Sequence, residues 1–241
     1  MPRRIDLAVV SYGGVGTTFL MRFLKQYRRI NRLTGADAFK QSPVPLLSAN
    51  PAIRFIYVHG DPRLAAASLF RRGFHSVQSV TLRRWQPGVE AVSEDLTLDE
   101  YARTGVDVFG LREHVSNWYE TYPVSGPTLF VRYETMHDHI GTILDFAGIP
   151  ASERAHFPPR QTRLSQREAL DPETAEGLDR MYAETAEYLE RLADVEIRPQ
   201  STRSKRLARL QTPLYRSALV RQTRYEATRL ARRVLPSRGD G

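Results

Sequence analysis

The sequence predicts an α/β fold built on a mostly parallel central sheet, and three observations carry that prediction. Apolar, β-rich runs recur as "RIDLAVVSY", "AIRFIYVHG" and "GPTLFVRYE". The first two are each followed by a helix-forming stretch, and the third comes after a helix ending at "VSNWYETY". Strands thus alternate with helices, the rhythm of crossover connections between parallel strands. The chain has 241 residues, 41% of them hydrophobic, enough for one good-sized core and an appendage.

The first strand leaves through "SYGGVGTTFLMRFL", Ser11 to Leu24, where Gly13, Gly14, Val15 and Gly16 form a turn and Thr17 and Thr18 open a helix. Successive N–H groups at such a turn, added to the positive end of the helix dipole, make a cradle for an anion. A phosphate is the expected guest, and a plain tight turn capped by threonine is the alternative. No lysine completes a Walker motif, and Gly14, Gly16 and Phe19 do not complete G-x-G-x-x-G. Further along, "TLDE" at Thr97 to Glu100 is a capping box. A helix begun near Met136 stops at Gly148, with Pro150 beyond it. Asp171 caps the last long helix and Pro172 opens it; Ala175, Leu178, Tyr182, Leu189 and Leu192 form its apolar stripe. "IRPQSTRSKR" is the expected linker, dividing a body at 1–197 from a tail at 198–241.

Charge is distributed unevenly across that division. The tail holds twelve Lys or Arg against Glu226 and Asp240, a net of +10, whereas the whole chain is +8. Leu219, Thr223, Ala227, Leu230 and Val234 recur in it at helical spacing, so a basic amphipathic helix is expected there. An anionic membrane surface is its expected partner, with docking on an acidic partner or packing on the body as the alternatives. No pattern of stacking aromatics favours nucleic acid. The absence of cysteine removes disulfides, thiolate nucleophiles and cysteine zinc sites. The apolar stretch near the N-terminus is short and contains Asp6, unlike a secretory signal, so a cytoplasmic protein is expected.

Three blocks resemble PAPS-dependent sulfotransferases, in the family's own order. "SYGGVGTTFL" resembles its S-Y-P-K-S-G-T-T-W-L loop. "FKQSPVPLLSANPAIRFIYVHGDPRLAAASLFRRGF" is similar to the block in which a K-T-H-L-P stretch leads to a strand, an R-x-P-[KR] turn and a helix carrying an A-x-S serine. "REHVSNWYETYPVSGPTLFVRYETMHDHIGTILDFAGIP" looks like the Trp-bearing helix, the strand ending Y-E and the helix closing on F-L-G-I. The resemblance spans roughly Ile5 to Pro150. It implies a three-layer, P-loop-like α/β fold and transfer of a sulfuryl group from PAPS to a hydroxyl or amine, without a metal. By position, Gly13, Gly14, Val15, Gly16, Thr17 and Thr18 would hold the 5′ phosphosulfate, and Ser68 the 3′ phosphate.

The chain departs from the family where the chemistry lies. Gly14 stands at the loop lysine, Ser42 at the usual histidine base, and Gly60 at the arginine that pairs with the 3′ phosphate. Three such losses without replacement would leave little catalysis. Lys40 is the expected substitute for the lost lysine. Arg71 and Arg72, three and four residues beyond Ser68, share its helix face and are expected at the 3′ phosphate, with Arg63 as a further candidate. His59, closing the second strand, is the expected base, with His75 as an alternative. Arg163, in the basic loop "PPRQTRLSQRE", is expected to close over the 3′ phosphate. Glu134 is read as an architectural residue of the Y-E pair.

The acceptor is expected to meet the block Ser79 to Leu111, where Trp85 and Tyr101 suit stacking on a sugar. A carbohydrate or glycolipid acceptor follows, with the tail holding the enzyme at the membrane. Two other readings remain open at this point: a protein of this fold that binds a nucleotide or glycan without turnover, and a small phosphate-handling enzyme such as a kinase.

Overall fold

The computed structural model describes residues 5–35, 39–45, 53–84, 86, 88–121, 124, 126–159 and 170–200. Within them the chain is an α/β protein with an open, mostly parallel four-stranded sheet. The elements run β1 (Leu7–Val10), α1 (Thr17–Leu24), β2 (Arg54–His59), α2 (Pro62–Arg71), α3 (His75–Leu82), α4 (Leu98–Thr104), α5 (Leu111–Ser116), β3 (Thr128–Arg132), α6 (Ile140–Ala147), α7 (Pro172–Glu190) and β4 (Val195–Arg198). The sheet order is β1-β2-β3-β4, with β1, β2 and β3 parallel and β4 antiparallel to β3. Leu7–Val10 and Phe55–His59 are buried throughout, as strands covered on both faces must be, which accounts for their near-continuous apolar runs.

The caps read from the sequence form. The Thr97 hydroxyl accepts the Glu100 N–H at 3.2 Å while the Glu100 carboxylate accepts the Thr97 N–H at 2.9 Å, and the Asp171 carboxylate accepts the Thr174 N–H at 2.9 Å. Two elements were not expected. α3 lacks an amphipathic stripe because all but one of its residues are buried. β4 is too short to show a period, and Arg132 fixes its position: Arg132 N–H donates to Asp194 O at 2.8 Å. The Arg132 guanidinium then meets the Asp194 carboxylate at 2.6 Å and the Leu189 and Leu192 carbonyls at 2.7 and 2.9 Å. This clamps the carbonyl end of α7 to β3. β4 ends at Arg198, where the boundary between body and tail is expected. The expected tail helix lies outside the described residues, among which no helix is long and apolar enough to cross a membrane.

β1 stands at an edge of the sheet, and an asparagine closes that edge. Asn31 Nδ2 donates to Val9 O at 3.0 Å while Asn31 Oδ1 accepts Val9 N–H at 2.8 Å. The amide thus stands in for the peptide group of a missing neighbour strand. Farther along the same edge, Ser11 N–H donates to Lys40 O at 2.9 Å. Replacing Asn31 by leucine strips both partners from a buried peptide group, so urea denaturation is expected to show a loss of about 2–4 kcal/mol; an unchanged midpoint would contradict this account of the edge.

Candidate functional site

The loop after β1 is held in shape from within and from outside. The Ser11 hydroxyl bonds the Thr17 hydroxyl at 2.6 Å and accepts the Gly13 N–H at 3.1 Å. At Gly14 and Gly16 φ is +75° and +67°, and a Cβ at either would collide with a neighbour: at Gly14 with the Ala65 backbone at 2.5 Å, at Gly16 with the Tyr133 ring at 2.1 Å. α2 and Tyr133 therefore close on the loop, and only glycine fits between them. With its own frame satisfied, the turn leaves its other donors open. Among the described residues, nothing accepts a hydrogen bond from the N–H groups of Gly14, Val15, Gly16, Thr17 or Thr18. Five such donors at the start of a helix can hold an anion.

Lys40 supplies a full positive charge to the same place. Its backbone is tied to the end of β1 through Ser11, and its Nζ donates to Thr18 Oγ1 at 2.9 Å and to Leu33 O at 2.7 Å. Burial, then the positive charges of Arg72 and Arg22, lower its pKa to about 8. Both arginines are thus close enough to act on Lys40 electrostatically, and together the three make a cationic flank on the loop. Arg22 was not expected; it lies one helical turn beyond Thr18 on α1, a spacing visible in the sequence.

The other expected residues divide into those brought to the loop and those kept from it. Ala65 meets Gly14, so α2 lies against the loop and brings Ser68 and Arg72 with it. Ser68 is buried, and Arg72 folds back to donate from Nε to Ser68 O at 2.9 Å, its guanidinium 5.4 Å from the Phe74 ring centre. Arg71 is exposed at the end of α2. Thr17 faces inward, so its hydroxyl braces the turn.

Several expected residues are kept from the loop. Arg63 is taken up by carboxylates: it bonds Asp61 through Nε at 2.9 Å and Nη2 at 2.8 Å, and Asp179 through Nη1 at 3.0 Å. It links the start of α2 to α7 and is not a phosphate ligand in this arrangement. His59 has no exposed surface; its Nε2 faces the Tyr119 hydroxyl at 3.3 Å, and burial lowers its pKa to about 3. An imidazole so placed is a neutral core group rather than a base open to an acceptor. His75 lies flat on Phe70, ring centres 4.4 Å apart, with Nε2 3.1 Å from Glu94 O. Tyr101 is also in the core, its hydroxyl 2.6 Å from that of Tyr182, and does not face a sugar. Arg163 and Trp85 lie outside the described residues.

The departures at 14 and 60 have a structural reason. The backbone of Ala65 occupies the space of any side chain at 14. At 60 a Cβ would lie 2.8 Å from Glu134 Oε1, the oxygen that accepts the Asp61 N–H at 2.9 Å. The Tyr12 hydroxyl accepts the Gly60 N–H at 2.8 Å and donates to the Gly60 carbonyl. Ser42 is likewise buried, donating to Val44 O at 2.7 Å. Sequence reasoning passed over one residue in this neighbourhood, His114. It precedes Asn117 and Trp118 by three and four positions, a helical spacing that marks a shared face.

No protein-family model matches the chain, and no curated protein matches it.

Proposed function

We propose that the protein is a sulfotransferase that moves a sulfuryl group from PAPS to a hydroxyl or amine. The observation that carries this reading is the delivery of Lys40 from a separate segment to Thr18, beside N–H groups of Gly14 to Thr18 that meet no acceptor among the described residues. A loop after the first strand of a mostly parallel sheet also supports a P-loop-like layering, and the order of the three resembling blocks supports the family.

PAPS, when bound, supplies the sulfuryl group and a phosphate leaving group. The chain's part is to hold and to neutralise. The N–H groups of Gly14 to Thr18 receive the 5′ phosphosulfate oxygens, and Lys40 offsets the charge that grows on the leaving phosphate. Ser68, Arg71 and Arg72 serve the 3′ phosphate from α2, together with Arg163. The acceptor is a carbohydrate or glycolipid, and the basic tail holds the protein at the cytoplasmic face of an anionic membrane.

Calorimetric titration with PAP, set against ATP and AMP, tests the reading. Binding selective for PAP is expected; absence of PAP binding would overturn it. A second reading, a protein of this fold that binds a nucleotide or glycan without turnover, is favoured by the Ala65 backbone filling the space of the family's lysine at 14. PAP binding without any PAPS turnover would select it.

A further inference from the structure

A lysine side chain is a long, flexible stem, so where its ammonium stands depends on how firmly its backbone is held. For Lys40 one hold is on β1, where Ser11 N–H donates to Lys40 O at 2.9 Å. Beyond it the chain folds on itself. Ser42 N–H donates to Phe39 O at 3.2 Å and the Ser42 hydroxyl to Val44 O at 2.7 Å, so residues 39–44 form one compact turn.

A distant part of the chain grips that turn. α5 runs on into a π-helical turn, Asn117–Thr121, a rare form found frequently at functional sites. Its first two residues are 3% and 1% exposed and reach adjacent carbonyls: Asn117 Nδ2 donates to Pro43 O at 3.1 Å and Trp118 Nε1 to Ser42 O at 2.8 Å. Two such bonds fix the orientation of the turn as well as its distance. The indole is itself seated on β2, 5.2 Å from the Tyr57 ring and 5.8 Å from the Phe55 ring, centre to centre. β2 pairs with β1, the strand from which the anion loop leaves. The loop and the Lys40 segment thus take their positions from the same two strands, the loop through its backbone and the segment also through the Trp118 indole. At the far end of these contacts the ammonium donates to Thr18 Oγ1 and Leu33 O, with Arg22 and Arg72 near enough to act on it.

We propose that Asn117 and Trp118 are positioning residues for the anion loop, holding the turn at 39–44 so that the Lys40 ammonium stands at Thr18. The inference rests on the reading that Lys40 serves a bound anion there. Both residues act through Lys40, and neither is a catalytic residue.

The test reads Lys40 directly. The chain has three lysines, Lys25, Lys40 and Lys205, so the full chain labelled with ¹³C at the lysine ε-carbon gives three NMR signals, and Lys40→Met identifies one of them. In wild type, burial and the two arginines place the Lys40 midpoint at about 8. Trp118→Phe keeps an aromatic ring on Tyr57 and removes the donor. It is expected to free the turn, let water reach the ammonium, and raise the midpoint by about one pH unit or more, toward the ordinary lysine value. PAP affinity at about pH 7 is expected to fall about 10-fold, because a charge-assisted hydrogen bond is lost although the ammonium keeps its charge. Asn117→Ala is expected to shift both readings the same way by less, and it carries the test if Trp118→Phe does not fold. Residues that merely stabilise the core would lower the melting temperature and leave the Lys40 midpoint in place, a result that would overturn the proposal. A wild type that does not bind PAP would remove the sulfotransferase reading, while the Lys40 midpoints, which need no nucleotide, would still decide whether Asn117 and Trp118 position the ammonium.

Discussion

Replacing Lys40 by methionine is expected to lower PAPS turnover about 10²- to 10³-fold, the effect of removing one donor aimed at a developing negative charge. Methionine keeps the stem that fills the space between Thr18 and Leu33, so the loss reports the ammonium. The pH dependence should follow from the same group. Burial and the neighbouring Arg72 and Arg22 lower the pKa of Lys40 to about 8, so it is charged below that value and becomes neutral above it. An anion prefers the charged form. PAP affinity is therefore expected to be flat below pH 8 and to fall as pH rises beyond it, in wild type but not in Lys40→Met. Calorimetry between about pH 6.5 and 9.5, spanning the lowered pKa of Lys40, reads both. Equal affinity across it in wild type would show that Lys40 is not at the anion.

The second large effect is on stability. Gly14→Ala is expected to cost about 3 kcal/mol or more, because φ of +75° alone costs an alanine about 1–2 kcal/mol and its Cβ would stand 2.5 Å from the Ala65 backbone. Neither α2 nor the loop can retreat cheaply, since Ser11, Gly13 and Thr17 are bonded within the turn. For a domain of this size the melting temperature should drop by about 6–12 °C. Gly73→Ala serves as the control: φ is +64° there, yet nothing lies within 4 Å of the added carbon, so only the backbone term applies. Similar losses in the two variants would mean that the contact with Ala65 contributes nothing.

The Gly14 result bears on the family resemblance. A side chain at 14 cannot be accommodated without moving α2, and the ammonium that reaches the start of α1 is that of Lys40. Lys40 Nζ lies 2.9 Å from Thr18 Oγ1, at the start of the helix that follows the loop. Sequence position also suggested His59, Arg63 and Tyr101 for the site, and they lie in the core or in ion pairs. Their failure has one cause. A strand end, a helix start and an aromatic in a variable block look available in one dimension, but Tyr119, Asp61 with Asp179, and Tyr182 come to meet them from 60, 2 and 116, and 81 residues away.

What the sequence by itself determined is local. The three parallel strands, the glycine turn between β1 and α1, and the caps at Thr97, Gly148 and Asp171 depend on neighbours within a few residues, where apolar period and backbone preference act directly. Only the tertiary structure decided the rest: β4 and its direction, the Asn31 amide that closes the β1 edge, the packing of Ala65 and Tyr133 on the loop, and the burial of His59 and His114. Those depend on which distant groups compete for the same space and the same hydrogen bonds. Whether a polar side chain is a free ligand or a satisfied core group is set by that competition, and a linear pattern does not contain its outcome.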